Sequence, residues 1–506
     1  MSSELLLKGF FIGIMSLMFA WTVFTKYDTE IGSENRKNPA QEEEGGGQRY
    51  TPGISGALLP LCVLTLVILS VVYYDITTAA HFTISMCFSI FLHISLYYVV
   101  LMLLLPFLRR HVSARACAMM WMIPNYLYLV YTRFMEVENP LLVLSVPEQI
   151  VWILFGIWSA GFVTVLLWKI VSHLIFRAHV LQGAVEIDDW SILEIWRTEL
   201  EELQIMKPKF QLVMSPNVTS PLSIGLFRRT TRVVLPVRVY SSEELSLIFR
   251  HEMIHICRED VWAKFFLVFC TSMCWFNPLM WIAVRKSADD LELSCDETVL
   301  LGADDTTRKQ YATLILDTAS DERGFTTCLS ASASAIRYRL KNIVKPKTRH
   351  SGALIVGLTF FVLCMSCGYV ALAYGGGTGA EIIYQSRETE LYTLRNITKS
   401  DDAYNIIYKC VDDEALHEYL ANLSLENLTG NYSFSEQEGE YHLLYTTPEG
   451  TLVITLFDRI IKLVPLYGED PKSSYYYVPG GIDWDYLDTI ILDAGRIRRT
   501  VHLSIA

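Results

Sequence analysis

The sequence has no disulfide framework, although it holds 11 cysteines. Cys62, Cys87, Cys117, Cys270, Cys274, Cys364 and Cys367 fall in apolar stretches, and only Cys410 lies within residues 375–506. That distribution excludes a small secreted scaffold stapled by disulfides. Cys364 and Cys367 form a C-x-x-C, but inside an apolar run, where cysteine serves as a small helix-packing residue. A cleavable leader is missing as well. The first apolar run, Leu5 to Phe24, is long enough to span a bilayer, and no A-x-A-like site follows it. Excess positive charge is also absent. The net charge is −12, and residues 375–506 carry 21 acidic side chains against 10 basic. The acidity therefore belongs to the C-terminal region, which argues against nucleic acid as a direct ligand.

Apolar residues are plentiful. They make up 52% of the chain, and the mean hydropathy is +0.30. They gather in blocks of the roughly 20 residues that a bilayer crossing takes. Six runs, about 5–24, 54–74, 80–107, 114–131, 147–176 and 352–374, read as spans of an integral membrane protein. The fourth is the weakest, because it holds Pro124, Asn125 and several tyrosines.

Lys and Arg in short loops set the orientation. The basic stretch LRRHVSAR (108–115) reads as cytoplasmic, and 132–149, with one arginine, reads as outside. Block 177–350 is then cytoplasmic and ends in the basic RYRLKNIVKPKTRH (337–350), a positive-inside anchor for the last span. Everything after Gly375 falls outside, as does the N-terminus. The polar, Gly-rich stretch 25–53 reads as a flexible cytoplasmic linker. The chain thus divides into a transmembrane region of about five helices (1–176), a cytoplasmic domain (177–350), a last span (351–374) and an extracytoplasmic domain (375–506).

The chemistry lies in SSEELSLIFRHEMIHICRED (241–260). Ser241 or Ser242 caps a helix with Glu243 and Glu244 in its first turn. Leu245, Ile248, Phe249, Ile254 and Ile256 mark its apolar stripe. His251 and His255 stand at i, i+4, so both imidazoles project from one face and can hold one Zn2+. Glu252 sits beside them, placed to take a proton from water and deliver it to a leaving amine. H-x-x-x-H with a glutamate also arises by chance on surface helices, so a third ligand is needed. KSADDLELSCDETVL (286–300) supplies it: Glu292 as ligand, and Asp296 one turn on as the carboxylate that orients a ligating histidine. Read alone, that acidic stretch is an ordinary solvated face; read with His251 and His255, it completes a zinc site.

Between the two motifs lies an apolar run, 261–284, long enough to span. A single crossing would put His251 and Glu292 on opposite sides of the membrane. Asn277-Pro278 in its middle favours a break, and hence a re-entrant or interfacial hairpin that returns the chain to the cytoplasmic side. Upstream, FQLVMSPNVTSPLSIGLFRRTTRVVLP (210–236) reads as a small antiparallel sheet, whose edge strand is suited to bind substrate by strand addition.

The segments SPLSIGLFRRTTRVVLP (220–236), EELSLIFRHEMIHICRED (243–260), WFNPLMWIAVRKSADDLELSCDETVL (275–300) and RLKNIV (339–344) occur here in a characteristic order. In this the chain resembles the BlaR/MecR-type antirepressor metallopeptidases, bacterial gluzincin membrane proteases, over roughly residues 80 to 375. The resemblance implies zinc ligation by His251, His255 and Glu292, with Glu252 as general base. It also implies a multi-pass protein of the bacterial plasma membrane that transduces a signal. A ligand binds outside, the cytoplasmic protease activates, and a winged-helix repressor is inactivated. Some relatives cut themselves in the region of 337–350, which leaves self-cleavage there open as a hypothesis beside the plain anchor. A homodimer is compatible with this reading.

The resemblance stops at the C-terminal region. The β-lactam receptors of the family carry a Ser-x-x-Lys nucleophile motif, and this sequence has neither Ser-x-x-Lys nor Lys-Thr-Gly. β-Lactam sensing is therefore not carried over, and the external ligand stays unidentified. Residues 375–506 are tyrosine-rich and strand-patterned, with a hairpin turn at Pro448-Glu449-Gly450, after a glycine hinge at YGGGTGAE (374–381). Their acidic pairs read as solvated surface before they read as a cation site. The expected whole is an α-helical polytopic membrane protein with a cytoplasmic α+β zincin-like (gluzincin) protease domain and a small α+β extracytoplasmic C-terminal domain. The competing enzyme reading is a quality-control or processing protease of the HtpX or CAAX type, which lacks such a tail. A non-enzymatic receptor is disfavoured, because His251, Glu252, His255 and Glu292 are all present.

Overall fold

The computed structural model describes residues 3–35, 65, 68, 72, 76–130, 140, 142–203, 205, 208–227, 229–320, 333–345, 350–367, 369–400, 404–428, 441–466 and 473–498. Helix α1 (Ser3–Asn35) contains the apolar span Leu6–Phe24 and continues beyond it, so the expected linker does not begin at residue 25. The expected span 54–74 lies outside the described residues, apart from positions 65, 68 and 72. Helix α2 (Ile76–His111) carries the next span, Thr83–His111.

The weak candidate 114–131 is helical but broken into α3 (Ala114–Met122), a 3-10 turn at Ile123–Tyr126 and α4 (Leu127–Val130). Pro124 has no N–H to give the Met120 carbonyl, and the Tyr97 hydroxyl donates to it instead at 2.8 Å. One residue on, the Trp121 carbonyl accepts the Tyr98 hydroxyl at 2.9 Å and the Asn125 amide at 3.3 Å. The broken turn is buried, so these side chains replace the hydrogen bonds the backbone lost.

Strand β1 (Leu142–Val146) leads into α5 (Glu148–Leu181), the third helix long and apolar enough to cross a membrane. Past α5 come β2 (Val185–Glu186), α6 (Trp190–Glu202), β3 (Gln211–Ser215), β4 (Leu222–Ile224) and β5 (Arg232–Pro236). Their order is β2-β3-β5-β4, with β3 and β5 parallel. The expectation of an all-antiparallel sheet is therefore corrected. β5 inserts between β3 and β4, and its fully buried Val233, Val234 and Leu235 form the unbroken apolar run typical of a central strand. β4 stays at the edge, beside the helix that follows. Val180 at the end of α5 packs under this sheet with Val213, Ile224 and Val234, and the Ser215 hydroxyl donates to the Val180 carbonyl at 2.6 Å.

Helix α7 (Ser242–Cys257) starts in a capping box between Ser241 and Glu244. Then α8 (Asp260–Met273) and α9 (Pro278–Val299) form a helical hairpin. Asn277 caps α9 and Pro278 takes its first position, so the residues that break the run also start the return. The tip is fixed by the spans. The Trp158 indole donates to the Met273 carbonyl at 2.7 Å, and the Trp275 indole donates to the Trp158 carbonyl at 3.2 Å. The Asn277 amide donates to the Ser95 hydroxyl at 2.8 Å. Ser95 and Trp158 lie well inside the apolar stretches of α2 and α5, so the hairpin reaches deep between them before turning back.

After α10 (Asp305–Ser320) and α11 (Ala333–Val344) comes α12 (Ala353–Met365). The expected span 352–374 is corrected here. Its helix has 13 residues, about 20 Å at 1.5 Å per residue, and the rest of the apolar run is strand β6 (Val370–Thr378). The expected glycine hinge also lies within β6. Gly376 adopts φ +120°, where a Cβ would sit 1.9 Å from the Leu425 carbonyl, so the glycines serve close strand packing through a bulge. β6 pairs with β1 at the end of a ten-stranded sheet that otherwise comes from the C-terminal region. The loop between spans and the C-terminal sheet therefore share one side of the molecule. The hairpin expected at Pro448-Glu449-Gly450 joins Tyr441–Thr447 to Gly450–Phe457.

Gly161 on α5 faces the hairpin tip, and a Cβ there would meet the Trp275 indole at 2.2 Å, whereas one at Gly156 would meet nothing within 4 Å. Gly161→Leu is predicted to destabilise the detergent-solubilised protein by about 1–3 kcal/mol, while Gly156→Leu is near neutral. Thermal unfolding of the two variants checks this.

Candidate metal centre

Helices α7 and α9 build the centre together. The i, i+4 spacing on α7 brings His251 Nε2 and His255 Nε2 to 3.1 Å of one another. α9 runs back alongside and places Glu292 Oε2 at 3.5 Å from His251 Nε2 and 3.6 Å from His255 Nε2. Ligands about 2.0–2.1 Å from a tetrahedral Zn2+ would lie about 3.3 Å from one another. The three expected ligand atoms thus fit the edges of such a polyhedron. Glu252 is buried on the same helix between the two histidines in sequence.

Each imidazole is fixed from behind. His255 donates Nδ1–H to Asp260 Oδ2 at 2.6 Å. Glu259 makes this contact reachable. It adopts the left-handed φ of 58° between α7 and α8, which turns the chain so that Asp260 faces back onto His255. His251 donates Nδ1–H to the Tyr311 hydroxyl, which donates in turn to Asp296 Oδ1, each at 2.8 Å. In both cases the back nitrogen carries the proton, which leaves Nε2 free as a metal donor. Asp296 is the carboxylate expected to orient a ligating histidine. It stands 3.8 Å from His251 Nδ1 and acts through Tyr311 instead.

Asp296 is itself gripped by Arg339, Nε and Nη2 each at 2.7 Å. One arginine of the basic stretch 337–350 therefore works inside the centre, so that stretch is more than a membrane anchor.

The electrostatics favour a cation. Burial alone would lower the pKa of His251, but the negative charge that Cys295 carries as a thiolate, with the hydrogen bond to Glu292, overcomes it and holds the imidazole up at about 10. Burial likewise opposes the charge on Glu292, yet His255 and Lys264 keep its carboxyl well below the usual range. A divalent ion entering this site would displace protons from the imidazoles.

A second donor set is present, since Cys295 lies with His251 and His255 within 4.8 Å by their ligand atoms. Two observations favour Glu292. The Cys295 thiol donates to the His251 carbonyl at 3.5 Å and is fully buried, so it fills the crossing of α7 and α9. The Glu292 side chain is 28% exposed, which leaves room for water and substrate at the open position a catalytic metal needs.

Comparison with known proteins agrees with this architecture. The family model described as BlaR1 peptidase M56 matches residues 61–343, more than half of the chain. The chain belongs to this family. Regulatory protein BlaR1 of Bacillus licheniformis is 25% identical over 254 residues, which is 49% of this chain and 41% of that protein. The methicillin resistance mecR1 protein of Staphylococcus aureus is 25% identical over 157 residues, 30% of this chain and 26% of that protein. The match thus spans well under half the length of either relative. M56 membership makes the protein a metallopeptidase by family, and its long apolar helices make it a membrane protein.

Three residues of this M56 centre were not found by sequence reasoning: Asp260, Tyr311 and Arg339. Asp260 closes the quoted stretch CRED, and an acid five residues past the second histidine was its only signal. Competition against a chelator separates the donor sets. Glu292→Ala is predicted to abolish tight zinc binding, and Cys295→Ala to leave it intact. Asp260→Asn should weaken it by about 10–100-fold.

Proposed function

We propose that this M56 peptidase is a zinc endopeptidase that passes a signal from an extracytoplasmic sheet domain to cytoplasmic proteolysis of a winged-helix transcriptional repressor. The observation that carries the proposal is the convergence of His251, His255 and Glu292, with Glu252 buried between the two histidines in the sequence of α7. Zinc, when bound by those three side chains, supplies Lewis-acid polarisation of a peptide carbonyl and activation of water. The chain's own residues do the rest. Glu252 takes the proton from the attacking water and delivers it to the departing amine. Tyr311 and Asp260 hold the imidazole planes. The edge strand β4, next to α7, offers backbone groups for an extended substrate segment.

Sidedness follows from charge. The basic end of α2 and the basic 337–350 stretch support a cytoplasmic face for the protease. The ten-stranded sheet, joined to the opposite ends of α5 and α12, then lies outside. The names of the relatives, a regulatory protein and a methicillin resistance protein, support a signalling role over a housekeeping one. The sheet keyed to the spans supports it too, because a processing protease has no need of one.

Glu252→Gln tests the reading. The variant is predicted to keep its zinc and to lose about 10^2–10^4-fold in peptide cleavage. In cells expressing the repressor, wild type should yield a repressor fragment that Glu252→Gln does not. Zinc content near zero in the wild type, or cleavage unaffected by Glu252→Gln, would remove the enzyme reading.

A further inference from the structure

Arg339 belongs to α11, the helix that precedes α12, and so to the segment that leads from the protease to the C-terminal sheet. Besides its two bonds to Asp296, its Nη1 stands 3.7 Å from Glu292 Oε2. A single guanidinium therefore reaches both sides of the metal centre. On one side it touches the carboxylate ligand from α9. On the other it fixes Asp296, which fixes the Tyr311 hydroxyl, which fixes His251 Nδ1. Asp296 is 1% exposed, so a lost partner leaves a buried charge that must find another arrangement.

α11 is in turn held by the end of a span. The Arg109 guanidinium, at the end of α2, lies over the Tyr338 ring at 4.7 Å, next to Arg339 in sequence. Arg109 also binds the fully buried Asp290 through two contacts of 2.9 Å, and the Trp121 indole donates to the same carboxylate at 2.8 Å. Asp290 lies two residues before Glu292 on α9. His350, between α11 and α12, is pinned at the same corner: its N–H donates to the His111 carbonyl, and its carbonyl accepts the Ser113 N–H, at 3.0 and 2.9 Å. The end of α2, the helix α11 and the start of α12 thus meet behind the metal centre.

We infer that Arg339 is a positioning residue that makes zinc affinity at His251, His255 and Glu292 depend on the seating of α11, with Arg109 holding α11 from the end of α2. The inference rests on the metal-centre reading above and extends it to regulation. Movement of α12 or of the end of α2 reaches the zinc ligands through Arg339 and Tyr338, with no contact to substrate required. The charges that face these two arginines are Asp296 and Glu292 at Arg339, and Asp290 at Arg109.

The test uses the full chain in detergent micelles, with zinc affinity read by competition against a chromogenic chelator and melting temperature read with and without zinc. Arg339→Met is expected to weaken zinc about 10–100-fold and to shrink the zinc-dependent rise in melting temperature. Arg339→Lys restores the charge without the two-point grip and should recover part of the affinity. Arg109→Met, which touches no zinc ligand, should weaken zinc several-fold and serves where Arg339→Met does not accumulate as folded protein. Arg339→Met combined with Tyr311→Phe should cost less than the product of the two single effects, since both break one chain of contacts. A lowered apo melting temperature with zinc affinity within about twofold of wild type would mean a merely structural Arg339 and would overturn the inference. If His251→Ala leaves zinc binding unchanged, the metal-centre reading fails instead.

Discussion

Two donors on α7 and one on α9 can share an ion only because the chain between them runs out and back. The tip of the α8–α9 hairpin, at Met273–Asn277, is held against α2 and α5 by indole and amide hydrogen bonds. The indole bonds go to backbone carbonyls of Met273 and Trp158, and the Asn277 amide is satisfied by the Ser95 hydroxyl, so polar groups costly to leave bare in an apolar surround are paired. Asn277 and Pro278 then restart the helix in the opposite direction. The depth of the hairpin sets the height of α9, and that height brings Glu292 level with the two imidazoles. The spans and the metal centre are therefore one mechanical unit, and a change in how α2 and α5 sit against the tip is felt at Glu292.

The second constraint is the layer of paired charges behind the ligands. Asp260, Asp296 and Asp290 are each buried, and each is matched by a named partner: His255, Arg339 and Arg109. Buried pairs of this kind contribute little net stability but are expensive to break singly. They fix one geometry rather than adding affinity of their own. Two of the three cationic or imidazole partners come from outside the α7–α9 helices that carry the ligands, from α2 and α11. The centre is thus completed by the segments that connect it to the rest of the membrane protein. At the other end, β1 runs into α5, and β6 follows α12 into the same sheet. Strand pairing locks these two leads together, and the glycines of β6 tighten that lock.

Local patterns were legible in the sequence, and tertiary partners were not. The i, i+4 histidines, the second acidic pair and the Asn-Pro break each follow from helix geometry, and the structure brings His251, His255 and Glu292 together as those patterns require. Asp296 was found but its route was not, because Tyr311 lies in an ordinary-looking helix with no local signal. Arg339 reads in the sequence as part of a positive-inside anchor, the simpler explanation for basic residues near a span. The run 352–374 illustrates a different limit. Apolar composition alone does not separate a short helix from a strand, and the choice was made by β1, five residues in a loop that offered no sign of pairing. The parallel pairing of β3 with β5 escaped for the same reason, because it depends on which strand comes between.

The identity of the ligands decides whether α7 and α9 build one metal centre. Zinc K-edge absorption on the metal-loaded full chain reads them without any assumption about substrate. Ligation by His251, His255 and Glu292 gives a first shell of nitrogen and oxygen only, at about 2.0–2.1 Å, with two imidazoles, one carboxylate and one further light atom. A sulfur scatterer at about 2.3 Å would place Cys295 in the shell, and zinc without imidazole would place the metal elsewhere. Either result would contradict a centre built from His251, His255 and Glu292.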